Sequence, residues 1–454
     1  MKYTYPQVTG GSLLANQHTY DKRGFRELLK NVKILLLNQD WFATELRDMG
    51  HEVVVCGIGD HMEVRLASTM YHIDHILGEF LNGFAPDVMV WLDNSAPLLI
   101  IGLEHCGIPM IFYSVDTQHH HELHSLLAHA FDYVLIAQRD YMVHFAETDT
   151  PMEWFPLWAP RHVEASKEKK YGLTFVGNVN AKLNPGRVKF FEELQKLTPI
   201  HIQQGAYWEV FPLAEIMVNQ TVKGDLNFRV FEAMMCGPLL LTEKTSNGLL
   251  DLFTDGEHLV TYERGNAQAA ADIANNLLCD PARRNRIAEA GRTEVLAKHT
   301  AQHRAIELDK IIKNLRKRTP SPHRYFSMMI NHHLVSSSSE QDARGLSVKA
   351  IIAGLRCAQC ALDEGAEPTD VETAHLIRAC VRYDRLLGTG AGAELLKVYA
   401  EAFPHNYLLG LAEVRSRLNQ GKRSEATELA ARISSDPSSK IFALAESAIS
   451  MLLN

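Results

Sequence analysis

Five short apolar runs alternate with longer, mixed stretches through the first third of the chain. That alternation limits the fold more than any other feature. Residues 32–37, 52–56, 87–92, 109–113 and 133–137 are five or six residues long and mostly apolar, the first rich in Ile and Leu. Runs of this length and content suit strands covered on both faces, as in parallel sheets flanked by helices. Helical stretches are expected between them over 42–49, 64–82 and 122–130. Strand, helix and strand in succession call for right-handed crossovers, so the segment predicts a doubly wound α/β sheet.

A second series of the same kind begins at 173–177. It continues with a helix over 187–197, strands at 199–203 and 216–219, a helix opening near 225, a strand at 239–241, a helix over 267–278 and a long stretch over 281–314. Between the series, Trp154-Phe-Pro-Leu-Trp-Ala-Pro160 and the charged run from Glu164 to Lys170 read as a crossing between domains. A chain of 454 residues exceeds the ~250 residues at which single cores stop growing. The expected division is a first Rossmann-like domain over 1–160, a second over 161–315, and an all-α domain over 346–454. Residues 315–345, with Pro320, Pro322 and Ser336-Ser-Ser-Ser339, read as a linker. Within the last part, 407–414 followed by Gly421-Lys-Arg-Ser-Glu-Ala426 resembles a single tetratricopeptide-type helix pair. A solenoid needs about three such repeats, so an irregular helical cap is the alternative. Residues 1–30 find no place in this scheme.

Net charge is −8, which argues against a nucleic-acid partner, since those partners are met by basic faces. Seven scattered cysteines fit a reducing compartment better than a disulfide framework. Cys357-Ala-Gln-Cys360 falls in a helical pattern with no second pair, so two buried thiols one turn apart are expected there. Neither a membrane-spanning run nor a signal peptide is read, and a cytoplasmic protein is expected.

The stretch from Asp225 to Thr242 carries the chemistry. Asp225 or Asn227 is placed to cap a helix whose apolar face is Val230, Ala233 and Met234, and Gly237-Pro238 ends it before Leu239-Leu-Leu241. A helix N-terminus gathers free N–H groups and suits a pyrophosphate. Arg229 adds a positive fork in the first turn, and Glu232, one turn on, is positioned to accept from ribose hydroxyls. An ordinary surface helix with a stabilising charge pair is the alternative.

The run Asp225-Leu-Asn-Phe-Arg-Val-Phe-Glu-Ala233 with its following Cys236-Gly237 resembles the donor-nucleotide motif of GT-B glycosyltransferases, and most closely the CgeB-like branch. Two further stretches resemble the same family: Phe175-Val-Gly177-Asn178, and the later part with Leu252 to Glu257, Ile287 to Arg292, His299-Thr300 and His303-Arg304. The resemblance spans roughly residues 32 to 312. It implies two facing Rossmann-like domains, donor nucleotide on the second and acceptor mainly on the first. It also implies transfer of a sugar from a nucleoside diphosphate-sugar to a hydroxyl; the helical tail, since repeat-type helices present extended surfaces, is expected to read an acceptor on a protein or a cell-surface polymer. At one place the sequence departs from the family's retaining branch: Gly224 stands where a second glutamate is usual, which leaves the stereochemical outcome open. A nucleotide-sugar epimerase of the same fold and an inactive, partner-binding scaffold are the rival readings.

Ligands in open α/β sheets sit beyond the carboxyl ends of the strands. On the second domain this points to Gly177, Asn178 and Asn219, with Asp225, Asn227, Arg229 and Glu232. Lys182 and Arg187 flank the first loop and are expected to balance the leaving diphosphate, Lys182 being also readable as a solvated loop residue. On the first domain Asp93 and Asp116 end strands, and either is expected to deprotonate an acceptor hydroxyl or to cap the helix after it. His119 and His120 are candidates for touching substrate. His120 and His124 share a helix face, yet no third ligand group stands out, and no Asp-x-Asp motif lies in the second domain. Neither a metal nor a separate cofactor is therefore expected.

Overall fold

The structure, a computed structural model, describes residues 31–68, 70–93, 99–182, 184–338 and 344–434; residues 1–30 and the end of the expected 346–454 domain lie outside them. Seven parallel strands form the first sheet: β1 Lys33–Leu37, β2 Glu52–Gly57, β3 Val64–Arg65, β5 Val88–Leu92, β7 Met110–Ser114, β8 Tyr133–Ile136 and β9 Met152–Trp154, in the order β3-β2-β1-β5-β7-β8-β9. Two short strands, β4 Met70–His72 and β6 Leu99–Ile101, pair apart from it. The second sheet, also parallel, comprises β10 Tyr171–Val176, β11 Ile200–Gln203, β12 Ala214–Asn219, β13 Leu239–Glu243 and β14 Val260–Tyr262, in the order β11-β10-β12-β13-β14. Strand order reverses between β1 and β5 in the first sheet and between β10 and β12 in the second. These are the switch points where adjacent crossovers leave on opposite faces and open a crevice. The architecture is that of two Rossmann-like doubly wound domains with a helical C-terminal region.

One hydrophobic core joins the two domains: Ile34, Leu36 and Val90 of the first sheet share a cluster with Met217, Leu226 and Val230 of the second. The last helix of the second series, Ala301–Asn314, returns to the first domain, where Asp309 Oδ1 lies 2.9 Å from His51 Nε2.

Three local expectations change. Residues 64–82 are helical only from Ile73 to Phe80, because Met70–His72 is claimed by pairing with Leu99–Ile101, a contact no local period reveals. The helix expected over 122–130 starts at Thr117. The stretch 281–314 is two helices, Pro281–Lys298 and Ala301–Asn314.

The expected linker is the largest correction. Helix Arg324–Ser338 occupies it, and its Phe326, Met329 and Ile330 are fully buried with Leu35, Leu37 and Phe112 of the first sheet. Lys317 Nζ bonds Asp132 Oδ2 at 3.1 Å, and the Arg318 N–H donates to Asp132 Oδ1 at 2.8 Å. Flanking prolines and serines masked a Tyr-Phe-x-Met-Met-Ile run that covers the back of the sheet. Helix Arg344–Asp363, apolar and long enough to cross a membrane, likewise buries Ile351, Ala358 and Ala361 in this core. Cys357 is buried and Cys360 half-buried on it, and the Cys357 thiol donates to Glu104 Oε1 of the first domain. Tyr407–Asn419 and Arg423–Ser434 form a helix hairpin turning at Gly421.

The helix over 324–338 is therefore part of the first domain's core and not a linker. Phe326→Ala should destabilise the chain by about 3–5 kcal/mol, read from urea unfolding. A chain ending at Asn314 should express insolubly or melt without cooperativity; a soluble fragment melting like the full chain would contradict this packing.

Candidate functional site

In the second domain β10 runs into Gly177, where an added Cβ would lie 2.8 Å from Arg229 Nη2 and 2.9 Å from the Phe175 ring. The missing side chain lets Arg229 lie over that ring, 4.9 Å from its centroid. Arg229 Nε donates to Val176 O at 3.0 Å and Nη1 to Asn219 Oδ1 at 2.9 Å. Removal from water, helped by nearby Arg187, lowers its pKa to about 10, so it stays positive at neutral pH. Arg229 is a fixed charge between the ends of β10 and β12.

Arg187 serves differently from the sequence expectation. Its guanidinium is buried and bonds Gln220 Oε1 at 2.9 Å, Gln220 O at 3.0 Å and Asn178 O at 3.2 Å. It braces the loop at Gly177-Asn178, its donors spent on protein. The Asn178 and Lys182 side chains are exposed on that loop.

Helix Phe228–Cys236 begins with Asn227 at its N-cap, and no side chain caps it. The expected cap role of Asp225 or Asn227 is thus not what forms. Asp225 Oδ1 instead accepts from the Val222 N–H at 2.6 Å and from Asn227 Nδ2 at 3.4 Å, closing the turn that precedes the helix. The first-turn N–H groups have no side-chain cap, an arrangement suited to an anion. Burial raises the Asp225 pKa to about 6 against the pull of the Val222 N–H and Arg229. Glu232 is half-buried one turn on; burial raises its pKa to about 7, and Arg229 opposes the shift.

Sequence reasoning missed the aromatic pair Tyr207–Trp208, of which Tyr207 lies near Glu232. Tyr207 and Trp208 meet edge to face at 5.3 Å, and the Arg161 guanidinium sits 4.3 Å from the Trp208 ring. Glu232 adds to the elevation of the Tyr207 pKa that burial begins. The signal was Gly205-Ala-Tyr-Trp208 directly after a strand. Glu243 was missed too: fully buried, it accepts from the Thr221 N–H at 2.8 Å and the Gly265 N–H at 3.0 Å, fixing the ends of β12 to β14.

In the first domain, Asp93 is buried, and its Oδ2 accepts from the N–H groups of Val115 and Asp116 at 3.3 and 3.2 Å. It therefore ties β5 to the end of β7. His124 Nδ1 pairs with Ser114 Oγ at 2.8 Å, and burial lowers the His124 pKa to about 4 despite Asp93 nearby. That imidazole is neutral and structural. Asp116 is half-buried at the N-cap of helix Thr117–Leu127, which its side chain does not cap. His119 is exposed, its pKa lowered by partial burial and then by Lys223. Among the described residues no three His, Cys, Asp or Glu side chains are grouped to hold a metal.

A cavity of about 240 Å³ between the domains brings Asp93, Asp116 and Gln118 of the first together with Asp225, Asn227 and Phe228 of the second. Arg187, Lys182, Glu232 and His119 stand outside its lining. Gln138 holds the domains in this relation: its Oε1 accepts from the Leu226 N–H at 2.8 Å and its Nε2 donates to Leu226 O at 3.3 Å. Lys223 Nζ donates to Gln118 O at 3.2 Å, and the Asp140 N–H to Asn247 Oδ1 at 2.9 Å.

Residues 161–310 match the family model described as glycosyl transferase-like. Solved structures similar to this chain include a glycosyltransferase from Rickettsia africae, at 11% identity and TM-score 0.44, covering 64% of this chain and 100% of its own. Another is Anabaena HepE in complex with UDP-glucose, at 12% identity and TM-score 0.49, with 63% and 100% covered. A third is sucrose-phosphate synthase from Thermosynechococcus elongatus, at 10% identity and TM-score 0.45, with 63% and 99% covered. No curated protein matches the chain.

The raised Glu232 pKa makes a test of its burial. The folded protein binds this proton more tightly than the unfolded chain, whose Glu titrates near ~4.3. The associated stability is present below that value and is lost as pH rises through about 7. Glu232→Gln has no such loss, so its Tm relative to wild type should climb between pH 5 and 8. A flat difference would contradict the burial.

Proposed function

We propose that this chain is a glycosyltransferase that moves a sugar from a nucleoside diphosphate-sugar to a hydroxyl acceptor. The single observation that carries this reading is the fixed Arg229 beside an uncapped helix N-terminus at the β10–β12 switch point, within the region matched to the glycosyl transferase-like model. Breaking an anomeric C–O bond builds negative charge on the departing phosphates. A guanidinium and helix N–H groups already oriented in the resting protein stabilise that charge without reorganising; one such donor is worth roughly 10²–10³ in kcat. Gly177 admits Arg229 to this position, and Arg187 holds the loop beside it.

Glu232 takes the ribose hydroxyls, and the Tyr207–Trp208 pair lies beside it to flank the base. Asp116 is the general base for the acceptor hydroxyl, since it lines the cavity facing the second domain. Asp93 contributes by holding the Asp116 N–H. Proton removal on the face opposite the leaving group suits inversion, in keeping with Gly224 at the place of the retaining branch's glutamate. The diphosphate is met by protein groups alone, so the reaction proceeds without a metal. The helical region is built onto the first domain, the acceptor side, and reads a protein or glycan acceptor there. The closer kinship, to the CgeB-like branch, rests on the Asp225 to Ala233 run.

Glu232→Ala removes the acceptor for the ribose hydroxyls, worth ~1.5–3 kcal/mol in its ionised form, so the test is run above pH 7. Affinity for the nucleoside diphosphate found by screening UDP, GDP, TDP and CDP should fall about tenfold or more; calorimetry on the folded variant checks this, and unchanged affinity removes Glu232 from the site. Release of nucleoside diphosphate from a panel of nucleotide-sugars should persist in excess EDTA. Loss that Mn²⁺ restores would overturn metal independence.

A further inference from the structure

We propose that the junction of helices Arg324–Ser338, Arg344–Asp363 and Asp370–Leu387 is an acid-sensitive seam. Uptake of protons at His332 and His333 parts the second and third of these helices from the first, while both sheets stay folded. None of these residues belongs to the nucleotide crevice. Helix Arg324–Ser338 lies between the first domain on one side and the other two helices on the other, so its buried face is where the helical region is joined to the rest.

The packing there has no place for a charge. His332 is fully buried, and neither of its ring nitrogens has a hydrogen-bond partner. His333, 7% exposed, has a buried Nδ1 without a partner. Its ring lies 6.0 Å from that of His375, whose Nδ1 is in the same condition. A neutral imidazole has one N–H to satisfy, whereas an imidazolium has two and a charge besides. The groups facing the rings oppose that charge. Helix Asp370–Leu387 brings His375, Arg378 and Arg382 to His333; among the described residues, helix Arg344–Asp363 and the first domain bring no charge to either ring. Glu372, three residues before His375, is already taken. Both its oxygens pair with His323 Nδ1 at 3.0 Å, and its Oε2 accepts from the Thr369 N–H at 2.8 Å.

Burial lowers the His332 pKa to about 3. Burial, then His375 and the two arginines, lowers that of His333 to about 4. In the opened or unfolded chain a histidine titrates near ~6.5. The stability tied to these rings is therefore complete above that value and is lost as pH falls from it towards 4. His323 runs the other way. Its bond to Glu372 raises its pKa, so that tie is present below the unfolded value and holds in the acid range where the other rings give way. The start of helix Arg324–Ser338 thus stays fastened to the start of helix Asp370–Leu387 and acts as the hinge. At the opening end the ties that must break run from Arg382, Nε to Ser336 Oγ at 2.7 Å and Nη2 to Ser347 Oγ at 2.9 Å.

Hydrogen–deuterium exchange on the full chain at pH 7.5, 6 and 5, with labelling times scaled for the intrinsic exchange rate, tests this. Opening of residues 328–338 and 344–387 should rise between pH 6 and pH 5 by about tenfold for each titrating ring, up to about a hundredfold for both. Strands β1, β7 and β10 should keep their protection over the same range. The double variant His332→Phe, His333→Phe keeps a ring at each position but binds no proton there, so its helices should show little acid response. An equal acid response in helices and strands would mean global acid unfolding and would overturn the seam. No acid response in the helices, or an undiminished one in the double variant, would overturn it as well. The wild-type comparison of helices with strands decides even if the variant fails to fold.

Discussion

Both hydrogen-bonding ends of the Gln138 side chain go to the backbone of Leu226, and the working part of the molecule depends on that pairing. An amide that receives one N–H and serves one C=O of the same residue fixes both position and orientation. Leu226 stands immediately before the N-cap of helix Phe228–Cys236. The contact therefore presents the open end of that helix to the carboxyl ends of β5 and β7. Leu226 is itself fully buried in the core shared by the two domains, so a shift of the loop would break hydrogen bonds and expose apolar surface together. Function and docking use the same few residues.

The same economy governs the charges. Arg229 is half-buried and held over Phe175 by two carbonyl-type acceptors, with Asp225 and Glu232 near enough to raise its pKa but not bonded to it. A half-buried arginine answered by neutral acceptors keeps its full charge for a ligand, whereas a tight ion pair would cancel it. Asp225 and Glu232 are both pushed upward by burial, which makes the site receptive to a large anion carrying hydroxyl donors.

How far the sequence revealed this depends on the range of each contact. The parallel sheets were legible because strands buried on both faces read as continuous apolar runs, and the helix stop at Gly237 because a positive φ there favours glycine. The convergence of Gly177, Asn219 and Arg229 was legible because two of them stand at the ends of parallel strands and the third opens the helix that follows. What stayed hidden was made by distant partners: β4 pairing with β6, helix Arg324–Ser338 covering the first sheet, and Arg187 turned inward onto Gln220. Asp225 was misassigned as a cap for a related reason. A short acidic side chain next to a helix can bond forward to the helix or back to its own turn, and the sequence does not distinguish them. The Tyr207–Trp208 pair lacked any periodic signal at all.

The central claim is that a nucleoside diphosphate binds where β10, β12 and helix Phe228–Cys236 meet. Hydrogen–deuterium exchange across the full chain, with UDP, GDP, TDP and CDP added in turn, addresses it most directly. At least one of them should slow exchange in residues 176–178 and 226–232 together, leaving the helical region unchanged. Protection confined to the helical C-terminal region, or none with any nucleotide, would contradict the account.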